Sequence, residues 1–205
     1  MPEYQKNSAN QEPNRQERLF IALSPPEEVR GRLASFMAEA NSFGPDPSLK
    51  WASARQLHLT LRFLGSVEAR RIEAIQNSLR AVCFHSFYLR FNGLGYFEKK
   101  RESVLWAASE VSEALLALKA AIDEALLKCG IPKPADPYRP HLTLARNKKG
   151  SRFFADLIER GPQMDFSFPA HGFVLFKSER LPQGARHSAL ELFQLADDPF
   201  QEPEA

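Results

Sequence analysis

From residue 18 onward the apolar positions recur with a period that switches between 2 and about 3.6, so strands and helices should alternate along the chain. In Arg18 to Leu23, Leu19, Ile21 and Leu23 share one face and Phe20 and Ala22 the other, which predicts a strand. Ser24-Pro25-Pro26-Glu27-Glu28 then supplies a cap, early prolines and first-turn acids for a helix reaching about Ser42, with Leu33, Phe36, Met37 and Ala40 as its stripe. Beyond the break at Gly44, Pro45 and Pro47, a strand is expected over about 56–64, stopping at Gly65. Ser66 reads as the N-cap of a helix over roughly 68–81 that carries Ile72, Ile75, Leu79 and Val82. Alternation in Phe87 to Asn92 predicts a half-exposed strand bent at Gly93 and Gly95, with a turn at 99–102 and a partner strand at 103–108. A helix follows over 111–129, striped by Leu115, Leu118, Ile122, Ala125 and Leu126 and ended by Gly130 and Pro132. The remainder reads as a strand over 138–145, a helix over 152–160, one long strand over 166–176 bent near Pro169 and Gly172, and a last strand over 189–195. Residues 1–17 are too poor in aliphatic side chains to offset the entropy of ordering, so a disordered tail is expected there and a polar tail over 197–205. That leaves a single domain over 18–196.

One tetrapeptide occurs twice: His58-Leu59-Thr60-Leu61 and His141-Leu142-Thr143-Leu144. On a strand its His and Thr project to one face and its two leucines to the other. A buried face explains the leucines, but not the recurrence of an imidazole and a hydroxyl opposite them. The simplest arrangement is an α+β fold of two pseudo-symmetric lobes. Each lobe would be its own antiparallel sheet with helices on the outer face, the two His-bearing faces turned toward a central cleft.

Composition narrows the possibilities without adding to them. The chain has 205 residues, a formal charge of +2 and 43% hydrophobic residues, so contact with nucleic acid must come from a local patch and not from a global cationic field. Lys99-Lys100-Arg101 and Lys148-Lys149 are such local clusters, read first as solvated turns. Cys83 and Cys129 form no CxxC pattern and no disulfide framework, which fits a reducing, cytoplasmic location. No signal-peptide core and no apolar run of about 18 residues is present, so no membrane association is expected.

The chain resembles the two-histidine (2H) phosphoesterase superfamily, defined by two copies of His-x-Thr/Ser-x with apolar x. It is most similar to the RNA 2′,3′-cyclic phosphodiesterases, also called 2′-5′ RNA ligases. Arg18-Leu19-Phe20-Ile21-Ala22-Leu23, Leu57-His58-Leu59-Thr60-Leu61-Arg62-Phe63-Leu64-Gly65, Arg139-Pro140-His141-Leu142-Thr143-Leu144-Ala145-Arg146 and the late Ser178, Gly184 and Leu190 carry the resemblance, over about residues 18–196. His187 stands where this family tends to carry a tyrosine.

The resemblance implies opening of 2′,3′-cyclic phosphate ends of RNA to 2′-phosphates, with tRNA halves and nucleotide cyclic phosphates as further substrates. A monomer with no cofactor and no metal is expected. Two imidazoles titrating near neutral pH suffice for the proton traffic of such a reaction. His58 would protonate the leaving O3′, and His141 would bind the phosphate and activate water. Thr60 and Thr143 would donate hydrogen bonds to nonbridging oxygens. By family position Arg146 approaches phosphate or base, and Phe20, facing away from the core, would stack on the terminal base. Arg62 shares the parity of His58 and Thr60 and is a weaker candidate for an RNA phosphate. His85, His171 and His187 read as surface or structural residues. Two other classes compete: a metal-dependent hydrolase using both histidines as ligands, disfavoured by the lack of a third ligand at familiar spacing, and a non-catalytic RNA-end or nucleotide-binding module.

Overall fold

A computed structural model describes residues 15–197 except 45, 100, 101, 149–151 and 183. The expected tail over 1–14 and almost all of that over 197–205 lie outside the described residues. Gln16 and Glu17, assigned to the tail, instead begin the first strand, β1 (Gln16–Leu23). Glu17 pairs there with Val67, and its carboxylate lies 3.0 Å from the Lys177 ammonium.

The helices follow the apolar stripes closely. In α1 (Glu27–Phe43), Pro26 is the N-cap residue, Glu27 and Glu28 occupy the first turn, and Val29, Leu33, Met37 and Ala40 are buried. Two strands follow, the short β2 (Leu49–Trp51) and then β3 (Leu59–Glu68), which opens within the first repeat. The latter does not stop at Gly65. That glycine takes φ +74, open to it for want of a Cβ, and the strand runs on with Gly65 paired to Leu19 and Ser66 to Arg18. Ser66 is therefore not a helix cap, and α2 (Ile72–Arg80) starts only after a single 3-10 turn. Next come β4 (Phe87–Lys99) and β5 (Glu102–Ser109), then α3 (Glu113–Lys128), where the Leu115 N–H donates to the Ser112 hydroxyl at 3.2 Å. After β6 (His141–Asn147) and α4 (Arg152–Arg160), the expected long strand breaks at His171 into β7 (Phe166–Ala170) and β8 (Gly172–Leu181), followed by β9 (Gly184–Gln194).

Strand pairing was the part that periodicity could not reach. Among the described residues nine strands form one antiparallel sheet in the order β7-β4-β5-β6-β3-β1-β8-β9, with β2 added on β6. The two halves are thus not separate sheets as expected: β3 and β6 join them at one residue pair, Leu59 with Leu142. Nor does either lobe follow the sequence order. The middle strands β4 and β5 lie beside β6, while the C-terminal β8 and β9 return to β1. The former 166–176 strand is divided between the two, β7 on β4 and β8 on β1.

Residues from all four helices share one apolar core with Leu59, Leu61, Leu142 and Leu144, so the helices cover the leucine face of the repeats. The His face lies opposite. No helix among the described residues is long and apolar enough to cross a membrane.

Leu142 is fully buried at the seam, and its truncation to alanine is expected to cost about 2–5 kcal/mol, read as a lowered urea midpoint. His141→Ala, one residue away on the opposite face, should cost clearly less. Equal losses would mean that the leucine face does not carry the fold.

Candidate active site

The seam between β3 and β6 assembles the site. With Leu59 opposite Leu142 in antiparallel register, the next positions put His58 across from Thr143 and Thr60 across from His141. All four side chains stand on the face opposite the leucines and are half-buried. The two histidines are diagonal neighbours, a relation that spans roughly 7–8 Å in an antiparallel pair and leaves room for a phosphoryl group between the rings.

Both imidazoles are oriented by the same device. Nδ1 of His58 lies 2.6 Å from the Gln56 carbonyl oxygen, and Nδ1 of His141 lies 2.8 Å from that of Arg139, in each case two residues back along the chain. A carbonyl only accepts, so Nδ1 holds the proton of the neutral ring and Nε2 keeps a lone pair for the site. Aromatic rings wall both histidines: Phe20, Phe176 and His187 at 4.9, 6.3 and 5.3 Å from His58, Phe97 and Trp106 at 5.4 and 6.1 Å from His141. Gly95 makes space for the second wall, because a Cβ there would meet the Trp106 indole at 2.3 Å. Burial pushes His58 down to about 4, and the nearby His187 and His141 add to that, outweighing the Gln56 carbonyl that favours the charged ring. His187 is lowered too, by burial, and its Nδ1 is shut away without a hydrogen-bond partner among the described residues.

A bulge falls at the last residue of each repeat. Ile21 pairs with Arg62 and Ala22 with Thr60, which leaves Leu61 over; Leu105 pairs with Ala145 and Trp106 with Thr143, which leaves Leu144 over. Two successive residues therefore turn toward the helices: Leu61 and Arg62 in β3, Leu144 and Ala145 in β6, all buried. The residue five beyond each histidine returns to the His face, Phe63 in the first repeat and Arg146 in the second.

The bulges decide which candidates reach the site. Arg146 lies on the His face of β6 as an exposed guanidinium whose Nη1 donates to Glu102 Oε1 at 2.9 Å. Arg62, grouped with His58 by simple alternation, does not. It donates to the Pro132 carbonyl beneath the sheet, and its Nε lies 3.6 Å from the buried Asp123 carboxylate. Phe20 also departs from expectation. It faces the histidines but is only 3% exposed, stacked at 5.1 Å on Phe176 as a shelf under His58, so its face is not open to a base. Sequence reasoning missed Phe63, Phe97, Trp106 and Phe176 as site residues, and placed His187 too far from the chemistry. The equal offset of Phe63 and Arg146 from their histidines was the one signal that pointed to the first of these. Tyr138, whose hydroxyl burial pushes up, donates to the Thr60 carbonyl at 3.2 Å and braces the repeat strand from the preceding loop. Among the described residues no three His, Cys, Asp or Glu side chains group as metal ligands.

The family model of the 2′-5′ RNA ligase superfamily matches residues 25–181. An RNA 2′,3′-cyclic phosphodiesterase of Thermus thermophilus is 33% identical over 189 residues, covering 87% of this chain and 90% of its own. A protein of the same name from Archaeoglobus fulgidus is 27% identical and covers 86% and 99%. Among solved structures, TT0787 of Thermus thermophilus superposes with a TM-score of 0.72 at 31% identity, over 88% of this chain and 99% of that one.

The lowered His58 makes a stability prediction. Between about 4 and the ordinary 6.5 the unfolded chain binds a proton at His58 that the folded chain does not, so acidification through that window favours unfolding. The drop in Tm from pH 7.5 to pH 5 should therefore be smaller in His58→Gln than in the wild type. An unchanged drop would show that His58 is not held neutral by its surroundings.

Proposed function

The chain belongs to the 2′-5′ RNA ligase superfamily, and from that membership we propose that it is an RNA 2′,3′-cyclic phosphodiesterase. It opens cyclic phosphate ends of RNA to 2′-phosphomonoesters by acid–base catalysis between His58 and His141. The observation that carries this reading is the matched pair of imidazoles, each held through Nδ1 by the carbonyl two residues earlier, with both Nε2 atoms left for a substrate between them.

In the proposed step a water oxygen bonds to phosphorus as the bond from phosphorus to O3′ breaks. His141 takes the proton of the water, and His58 gives one to O3′. Burial keeps His58 neutral in the empty site, so it takes up that proton only with the anionic phosphodiester in place, whose charge favours the imidazolium. Thr60 and Thr143 donate to the nonbridging oxygens, and the fixed strand geometry means they do not reorganise as charge moves there. Arg146, with one edge of its guanidinium on Glu102, offers the remaining N–H groups to an RNA phosphate. If the 5′-hydroxyl of a second RNA end, such as that of a tRNA half, replaces the water, the same displacement forms a 2′-5′ linkage. Both repeats come from one chain, so a monomer is a complete catalytic unit.

Wild type incubated with a 2′,3′-cyclic phosphate-ended oligonucleotide in EDTA should yield a 2′-phosphate. A 3′-phosphate product would overturn the assigned leaving group, and loss of activity in EDTA the metal-independent route. His58→Ala and His141→Ala should each lower kcat by about 10²–10⁴-fold, the usual contribution of a general acid or base. A loss below about tenfold in both would instead fit the non-catalytic binding module. A substrate with sulfur in place of O3′, which leaves without a proton, should restore His58→Ala but not His141→Ala if the two roles are as stated.

A further inference from the structure

His187 borders the site, and the proposed chemistry leaves it without a task. Its ring stands nearly perpendicular to that of His58, at 84° and 5.3 Å, and lies 4.9 Å from Phe20. A hydrogen bond ties its strand to the same place: the Gln56 side-chain amide donates to the Ala185 carbonyl at 2.9 Å, two residues before His187 on β9. Gln56 is also the residue whose own carbonyl orients His58, so one residue ahead of β3 sets both rings. His187 differs from the catalytic pair in having no carbonyl at Nδ1. That atom is shut away with no hydrogen-bond partner among the described residues, while Nε2 stays open. A proton on Nδ1 would strand an N–H where no acceptor reaches it, whereas a proton on Nε2 leaves the N–H free to find one. Burial pushes His187 down from the ordinary histidine range, so at pH 7 the ring is neutral. His58 and His141 therefore offer the site a lone pair, and His187 offers it an N–H.

We propose that His187 is a third hydrogen-bond donor to the substrate, its Nε2–H binding a nonbridging oxygen of the cyclic phosphate on the His58 side, alongside Thr60. This rests on the phosphodiesterase reading and adds a residue to its phosphate site. The other rings against His58 are Phe20 and Phe176, which can donate nothing to an anion, so His187 is the one polar group in that wall. Its neutrality matters as much as its N–H. A cation 5.3 Å from His58 would oppose the imidazolium that the proposed step needs there, whereas a neutral donor stabilises charge on the phosphoryl oxygen without that penalty.

The test separates the donor from the ring. His187→Phe keeps an aromatic wall and removes the N–H, and His187→Gln places an amide N–H near the position of Nε2 in a side chain that does not titrate. On adenosine 2′,3′-cyclic phosphate, His187→Phe should lower kcat/KM by about 10- to 150-fold, the loss of one hydrogen bond to a charged oxygen, and His187→Gln should recover most of it. The two diastereomers of the corresponding cyclic phosphorothioate locate the contact, because sulfur is a poor acceptor. His187→Phe should show its full loss on one diastereomer and little on the other, where sulfur has already removed the acceptor. Equal losses on all three substrates, as a variant that is merely less folded would give, overturn the proposal, and so does no loss on any. A second readout is independent of turnover. Imidazole ¹⁵N spectra at pH 7 should show His187 neutral with its proton on Nε2, and adenosine 2′-phosphate should shift that N–H; a proton on Nδ1, or no shift, overturns the donor. If wild type opens no cyclic phosphate yet the nucleotide shifts the His187 N–H, the phosphodiesterase reading fails and the donor stands; if turnover is normal and the losses are equal, the reverse holds.

Discussion

Every feature of the site depends on a single backbone pairing, Leu59 with Leu142. The edge of β6 that faces β3 is shared, because β2 occupies it from Ala145 to Asn147. The strand carrying the first repeat therefore meets the second only at its start, where the two His-Leu-Thr-Leu segments cross. Burial of the leucines under the helices holds that register. A slip of either strand by one residue would turn its histidine and threonine into the core and its two leucines into the site, a change that the apolar interior strongly opposes.

The same burial that fixes the site gives it its electrostatic character. Rings on both lobes keep water from the flanks of the imidazoles, and His58, the more enclosed, is held neutral well below the usual histidine range. Such a ring is poor at holding a proton until an anion arrives, so in the proposed step the charge of the substrate is a condition for forming the acid. The ionic groups that would disturb this balance are on the other side of the sheet. Arg62, Asp123 and Lys119 form a buried cluster among β3 and α3, with the Lys119 ammonium 5.2 Å over the Tyr138 ring. The Tyr138 hydroxyl braces Thr60 through its carbonyl, while the cluster holds its charges beneath the sheet, away from the histidines.

Membership in the family, the repeat, the α+β class and the opposition of polar to apolar faces were all legible along the chain, as were the stripes of α1, α2 and α3. Each is a property of a few neighbouring residues: a period of 2 or 3.6, a proline, a cap, a leucine beside a histidine. Where a residue's direction depended only on its neighbours, as for His58, Thr60, His141 and Thr143, simple alternation placed it correctly.

Residues just past the repeats obeyed a different rule. The extra residue at Leu61 exists because β1 pairs on both sides of it, and that at Leu144 because β5 does. Alternation counted from the histidines therefore sends Arg62 to the site and Phe63 to the core, and the tertiary structure reverses both. The division of β7 from β8 at His171, the seam itself and the sealing of Phe20 between His58, His187 and Phe176 have the same origin. The sequence by itself determined that a histidine and a threonine recur together in the two halves and which face of its own strand each repeat presents. Only the tertiary structure decided which strands meet, where the register skips, and so which aromatic ring is buried and which is open, because those follow from contacts between segments far apart in the chain that no local period records.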